Sequence, residues 1–386
     1  MHSTFLASTN PILFGCGVSG LIGEKLKEFG CKKVLVVYDK GVKAAGIADR
    51  ILGHIHAAGI ETVCYDGVLP DPPDYTVEAA GALGVRERVD GVVAVGGGSA
   101  LDTGKAAKVL LTNPPPISNY YLAYEDVQPD DKTMKPIIVI PTTSGTGSEA
   151  TPGGVITDTK RGVKQNVPCA TNLGIVDPEL ALGLPLPVTA STAVDALCHA
   201  VEAFTSGEPN AISDVLAREA ISLIGKNLPA VFKNSADLKA REGLQLAATL
   251  AGLSIMGPFC NVPHEIGLVL GTVFHLPHGT ACGATLPEAL EFLAPAIPEK
   301  VAAVARLLGA EVSESAAPEE IGKTARGTVR ALYGLIGMPG LKTLVASKEA
   351  LLAAVPDILA YSPFHFSARP VSTGDLREIL GKAYDA

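Results

Sequence analysis

The chain of 386 residues has no tryptophan, and only 18% of its residues are charged. With 47% hydrophobic residues, so low a charge content argues against a disordered chain, because burial of apolar surface can offset the ordering entropy. It also lacks a basic balance: 31 Lys and Arg against 40 Asp and Glu give a net charge of −9. A surface that neutralises nucleic-acid phosphates or docks on anionic lipid is therefore not expected. Apolar runs such as Pro136-Ile-Ile-Val-Ile-Pro141 fall far below the roughly 20 residues that span a bilayer. No Lys or Arg precedes Lys25, so no secretory signal is expected. The seven cysteines are odd in number and form no CxxC pair, which fits reduced thiols in a cytoplasmic protein.

What is present divides at about residue 181. In the first part, Lys33-Val-Leu-Val-Val-Tyr38, Gly91-Val-Val-Ala-Val95 and Pro136–Pro141 read as strands, and Ala44 to Ala58 has the apolar spacing of a helix. Alternating strands and helices predict a doubly wound parallel sheet. Beyond Val188 alanine and leucine dominate, with helical spacing in Ala211–Leu223, Leu238–Leu253, Pro298–Leu308 and Pro318–Ile336. The expected architecture is an α/β Rossmann-like domain over 1–181 followed by an all-α domain over 182–386.

Gly96-Gly97-Gly98-Ser99 follows the second strand directly and opens a predicted helix over Leu101–Leu111. Glycines let a phosphate approach backbone N–H groups, and the helix N-terminus adds its positive end. A tight strand-to-helix turn would carry the same residues. Pro141-Thr-Thr-Ser-Gly-Thr-Gly-Ser-Glu149 is a second hydroxyl-rich loop after a strand. Two such loops at the carboxyl edge of one sheet favour a dinucleotide, since ligands of open α/β sheets bind there. Asp39 closes the first strand, where a carboxylate accepts from an adenosine ribose and repels a 2′-phosphate, favouring NAD(H) over NADP(H). A solvated turn Asp is the other reading.

Five of the eight histidines lie in the second part: His199, His264, His275, His278 and His365. Asp195 and His199 are four apart, hence on one helix face. With His264 and the turn Pro277-His278-Gly279 they would offer one carboxylate and three imidazoles, a set suited to Fe²⁺ or Zn²⁺. Spacing alone does not assemble them.

Together these segments resemble the iron-dependent (group III) alcohol dehydrogenase family. The motifs are Gly96-Gly-Gly-Ser-Ala-Leu-Asp-Thr-Gly-Lys105, Pro141–Glu149, Asp195-Ala-Leu-Cys-His199 with Ala200-Val-Glu-Ala-Phe204, and His264 with Pro277-His278-Gly279. The resemblance runs along nearly the whole chain. It implies an alcohol dehydrogenase or carbonyl reductase, with NAD(H) and one divalent ion, Fe²⁺ or Zn²⁺, as cofactors. A small alcohol or aldehyde would be the substrate and a homodimer or higher homo-oligomer the assembly.

Residue by residue, it implies that Gly97, Gly98 and Ser99 meet the pyrophosphate, that Gly96 belongs to the same cofactor-binding turn, and that Thr142, Thr143 and Thr146 line the nucleotide cleft. Lys164 would contact the nicotinamide ribose, and Asp39 would disfavour NADP. Asp102 and Lys105 match family positions as supporting helix residues. Asp195, His199, His264 and His278 would hold the metal and act through it.

Departures from the family pattern bear on the substrate. Leu268 stands where many members carry a histidine tied to proton transfer, leaving His275, His365 or water with the cofactor ribose as replacements. Pro152-Gly153-Gly154 replaces larger side chains, which implies a larger pocket if the backbone is kept. Ile255 stands where Phe is common, and Phe259 and Asn261 where small residues are, so the pocket is expected to be reshaped rather than simply enlarged. A second reading within the fold is a maleylacetate reductase-like enzyme, possibly metal-independent, reducing an oxo acid held by cations such as Arg369 or Lys164.

Overall fold

A computed structural model describes residues 10–122, 129, 133–208, 210–361 and 364–386. These fall into two compact units, one built from 10–143 and 147–184, the other from 144–146 and 185–386. The short segment Ser144–Thr146 thus belongs with the helices, although its neighbours on both sides belong with the sheet.

The first unit contains strands β1 (Ile12–Phe14), β2 (Lys33–Tyr38), β3 (Glu61–Tyr65), β4 (Gly91–Gly96), β5 (Ile137–Pro141), β6 (Gly153–Asp158), β7 (Val163–Pro168) and β8 (Leu173–Val176). Six form a parallel sheet in the order β1-β8-β5-β4-β2-β3, while β6 and β7 pair as a separate antiparallel hairpin. Successive side chains of a strand point to opposite faces. Val34, Val36, Val93, Val95, Ile138 and Ile140 therefore enter one core, and Leu35, Val37, Val92, Ala94, Ile137 and Val139 enter the other. Burial on both faces explains why these strands read as unbroken apolar runs.

Strand order reverses between β2 and β4, because β2 leads outward to β3 and β4 leads the other way to β5. Asp39 and Gly97 stand at the carboxyl ends of these two strands. The helix Gly98–Leu110 lies close against the sheet at Gly104, where a Cβ would come within 2.5 Å of the Ala94 Cβ. The helical run expected over Ala44–Ala58 is two helices, Lys40–Ala44 and Ile47–Ala57. Gly46, at φ 74°, takes the left-handed conformation that breaks them.

The described strands all lie in the first unit, and the second is built of helices. Its central helix, Leu186–Thr205, is buried at every residue from Ala193 to Thr205. An element enclosed on all sides must be apolar nearly all round, and this one is, apart from the few polar side chains it carries into the core. Against it pack Ala211–Lys233, Leu238–Ser254 and His278–Gly283. The side chains of Asn210 and Asp237 cap two of these helices by accepting from first-turn N–H groups. No helix among the described residues is long and apolar enough to cross a membrane.

Candidate active site

Three helices of the second unit carry the ionisable group. Leu186–Thr205 supplies Asp195, His199 and Glu202 at positions i, i+4 and i+7 of one face. Val262–Phe274 supplies His264 in its first turn, and His278–Gly283 begins with His278. The last helix approaches the first so closely that a Cβ on Gly279 would lie 2.1 Å from the Ser191 carbonyl oxygen and 2.9 Å from the Asp195 Cβ. That contact accounts for the glycine in Pro277-His278-Gly279.

Asp195 Oδ1 lies 3.6 Å from His264 Nε2 and 3.6 Å from His278 Nε2. Donor atoms of Asp195, His264, His278 and Cys282 all fall within 4.8 Å of one another, and those of His199, Cys260 and His264 form a second such group. His264 belongs to both, with the His199 ring stacked on it at 4.5 Å. His275 belongs to neither group: it is exposed and closes Val262–Phe274 as a left-handed C-cap at φ 54°.

Glu202, buried to 1% exposure, orients His264. Its Oε1 accepts the backbone N–H groups of Asn261 (2.9 Å) and His264 (3.0 Å), and its Oε2 bonds His264 Nδ1. Nε2 is then the free nitrogen, turned toward Asp195. Asn261 completes the corner by donating to the Glu202 carbonyl and accepting from Val262 N–H. It is a helix cap as well as a departure from the family pattern. Glu202 sits inside the motif Ala200–Phe204, and its i+7 relation to Asp195 was the available signal. Cys282, four residues after His278, had a comparable one.

Asp195 Oδ1, His264 Nε2 and His199 Nδ1 are buried without hydrogen-bond partners. Leaving a buried polar atom unpaired costs about 1–3 kcal/mol. One cation facing Asp195 Oδ1, His264 Nε2 and His278 Nε2 would satisfy the carboxylate and these two imidazoles together, so this donor set fits a divalent ion, while the His199 donor falls in the other group, with Cys260 and His264. Burial opposes charge on Asp195, but the rings of His199, His278 and His264 outweigh it and hold the carboxyl below the usual range. Burial lowers the His199 imidazole, whereas for His264 the neighbouring Cys260, Cys282, Glu202 and Asp195 outweigh burial and raise it.

In the first unit, the glycine turn, Asp39 and the loop after β5 come together. Gly96 has φ 148°, and a Cβ there would meet the Ala100 Cβ at 2.7 Å and Asp39 Oδ2 at 3.2 Å. A Cβ on Gly97 would meet Thr143 at 3.3 Å, and the Thr142 N–H donates to the Gly96 carbonyl at 2.9 Å. Gly97 caps Gly98–Leu110 with no side chain engaged, leaving Gly98 and Ser99 in an open first turn. Asp39 caps Lys40–Ala44 through Oδ1, which accepts from Val42 N–H at 2.9 Å. These features fit a backbone cradle for an anionic nucleotide.

The remaining expected residues have the following surroundings. Thr146, half-buried, groups with the helical unit. Lys164 lies on β7 with its ammonium 2.7 Å from Asp71. Asp102 accepts from the Ser148 hydroxyl at 2.6 Å. Lys105 is fully buried and donates to the Ser148 hydroxyl (2.8 Å) and to the carbonyls of Ser148, Thr151 (3.0 Å) and Gly153 (2.9 Å). Both residues thus tie down segment 148–153.

The expected pocket enlargement at Gly153-Gly154 is corrected by packing. A Cβ on Gly153 would lie 2.3 Å from the Asn166 side chain, and one on Gly154 would lie 3.0 Å from the Asp102 carbonyl. These glycines admit close neighbours. Phe259 is 52% exposed, in a left-handed conformation beside Phe366, and Ile255 packs on the helical core.

Residues 9–178 match the model of the iron-containing alcohol dehydrogenases, and residues 189–383 match that of the Fe-containing alcohol dehydrogenase family, C-terminal region. The chain is 34% identical to a choline dehydrogenase of Bacillus subtilis over 377 residues, covering 97% of this chain and 91% of that one. It therefore belongs to the iron-containing alcohol dehydrogenase family, and its activity class is oxidoreductase. A 1,3-propanediol oxidoreductase structure superposes with a TM-score of 0.92 at 31% identity, covering 99% of this chain and all of that one. A sulfoacetaldehyde reductase from Bifidobacterium kashiwanohense, solved with NAD⁺, superposes with a TM-score of 0.88 at 28% identity over the whole of both chains.

Proposed function

We propose that the protein interconverts a small alcohol and its aldehyde or ketone by NAD(H)-linked hydride transfer, assisted by one divalent ion. The observation that carries this reading is the buried, unsatisfied pair Asp195 Oδ1 and His264 Nε2, 3.6 Å apart, with His278 Nε2 at 3.6 Å from the same oxygen. Asp195, His199, His264 and His278 would hold the ion. When bound, the ion supplies Lewis-acid polarisation of a substrate oxygen, and the nicotinamide carries the hydride.

The chain's own residues do the positioning. Glu202 fixes the His264 ring and leaves Nε2 facing the ion site. Gly96, Gly97, Gly98 and Ser99 present backbone N–H groups to the pyrophosphate, with Thr142 and Thr143 beside them. Asp39 carries a carboxylate at the strand-order reversal and so disfavours a 2′-phosphate. Leu268 offers no titratable atom and His275 and His365 are both exposed, so this reading gives proton exchange to water with the cofactor ribose.

Reduction of an oxo acid would need a cation for the substrate carboxylate. Lys164 already pairs with Asp71, and Arg369 stacks over Phe292 at 4.1 Å and pairs with Asp375 at 3.6 Å. Neither cation is uncommitted, so the alcohol and aldehyde reading stands ahead. NADH consumption with a panel of short aldehydes, after reconstitution with Fe²⁺ or Zn²⁺, tests it. Turnover of at least one aldehyde is expected, and no turnover with either ion would contradict it.

A further inference from the structure

Cys282 stands four residues after His278 on the same short helix, and its side chain is fully buried. Its Sγ lies 3.7 Å from His278 Nδ1 and 3.9 Å from Nε2, and it shares the 4.8 Å group with Asp195 and His264. The backbone behind it is close-packed: a Cβ on Gly267 would lie 2.6 Å from the sulfur and 2.7 Å from the Cys282 Cα. In a shell of more than four donors, bonds of about 2.0–2.3 Å at angles of roughly 90–120° set neighbouring donors about 2.8–4.0 Å apart. The two Asp195 to imidazole distances of 3.6 Å fall within that range, and so does the 3.9 Å from the sulfur to His278 Nε2, the nitrogen that faces Asp195.

We propose that Cys282 adds a sulfur donor to the ion held by the carboxylate and imidazoles, and that the centre therefore prefers a thiophilic ion such as Zn²⁺ over Fe²⁺. This rests on the reading of the centre as a metal site. Coordination forms a sulfur–metal bond and releases the thiol proton to solvent. A thiolate among nitrogen and oxygen donors shifts selection toward zinc, because soft ligands favour softer ions. Cys260, grouped with His199 and His264, is the internal control, being near the same rings but outside the set around Asp195.

The test strips the full-length protein with a chelator and reloads it with Co²⁺, whose thiolate complexes absorb in the near ultraviolet by charge transfer. The wild type and Cys260→Ser should each bind about one equivalent and show the band, and Cys282→Ser should bind cobalt without it. Cobalt bound by the wild type with no band, or a band that survives in Cys282→Ser, overturns the proposal while leaving the metal site intact. Failure of the wild type to bind cobalt at all overturns both. X-ray absorption of the zinc-loaded wild type needs no variant. A sulfur neighbour at about 2.3 Å is expected, and a shell of nitrogen and oxygen alone contradicts it.

Discussion

One carboxylate, Glu202, grips His264 at two places: Oε1 accepts its backbone N–H at 3.0 Å while Oε2 accepts a hydrogen bond from its ring Nδ1–H. Glu202→Gln keeps an oxygen for the backbone but offers an N–H to Nδ1, which pushes the ring toward the wrong tautomer. Outer partners of this kind typically contribute about 10–100-fold to metal affinity. A loss in that range is expected in competition titrations against a chromophoric chelator, with the unfolding midpoint near wild type. Unchanged affinity would remove Glu202 from the account.

Gly279→Ala forces a methyl group into the Ser191 carbonyl and the Asp195 Cβ. The helix carrying His278 must then move away from the helix carrying Asp195. Overpacking of this kind costs about 1–3 kcal/mol. Urea unfolding should show that loss, and the variant should bind less metal than wild type. Wild-type values of both would mean that the helices do not approach this closely.

Lys105→Met removes a buried ammonium and leaves the Ser148, Thr151 and Gly153 carbonyls without their donor. Several stranded acceptors at about 1–3 kcal/mol each predict a destabilisation of roughly 3 kcal/mol or more. Denaturant unfolding measures it, and a change below about 1 kcal/mol would show that water replaces the ammonium readily.

The sheet and the long helices were legible because burial on both faces leaves runs such as Val34–Val37, and one-sided burial leaves helical spacing. The hairpin β6–β7 was not, since its strand Val163–Pro168 carries Lys164, Gln165 and Asn166 and its partner opens on two glycines. Those glycines looked like space for a substrate and instead admit Asn166 and Asp102, a distinction that only tertiary contacts make. Asp195, His199, His264 and His278 stood out by residue type, whereas Glu202 and Cys282 make contacts that only the fold brings about, with His264 more than sixty residues away and with His278 across one helix turn. Lys105 matched a family position, but its task of holding a loop together has no sequence signature.

Asp39→Gly removes the carboxylate whose Oδ2 faces the Gly96 turn. Glycine is itself a tolerated N-cap, so the stability loss should be only a few tenths of a kcal/mol. A charge repulsion worth about 1–4 kcal/mol at contact distance is relieved. The ratio of kcat/KM for NADPH to that for NADH should accordingly rise by about tenfold or more. An unchanged ratio would assign Asp39 to capping alone.

The central claim is that Asp195 and the three imidazoles hold one ion on which carbonyl reduction depends. Its most direct test is NADH-linked aldehyde reduction by chelator-stripped protein as Zn²⁺ or Fe²⁺ is added back, alongside metal content, for wild type and Asp195→Ala. The account predicts that wild-type activity rises with metal and levels off at about one equivalent per chain. Asp195→Ala should retain neither ion nor turnover while still binding NADH. Activity that survives complete chelation, or an Asp195→Ala variant that binds and turns over like wild type, would contradict it.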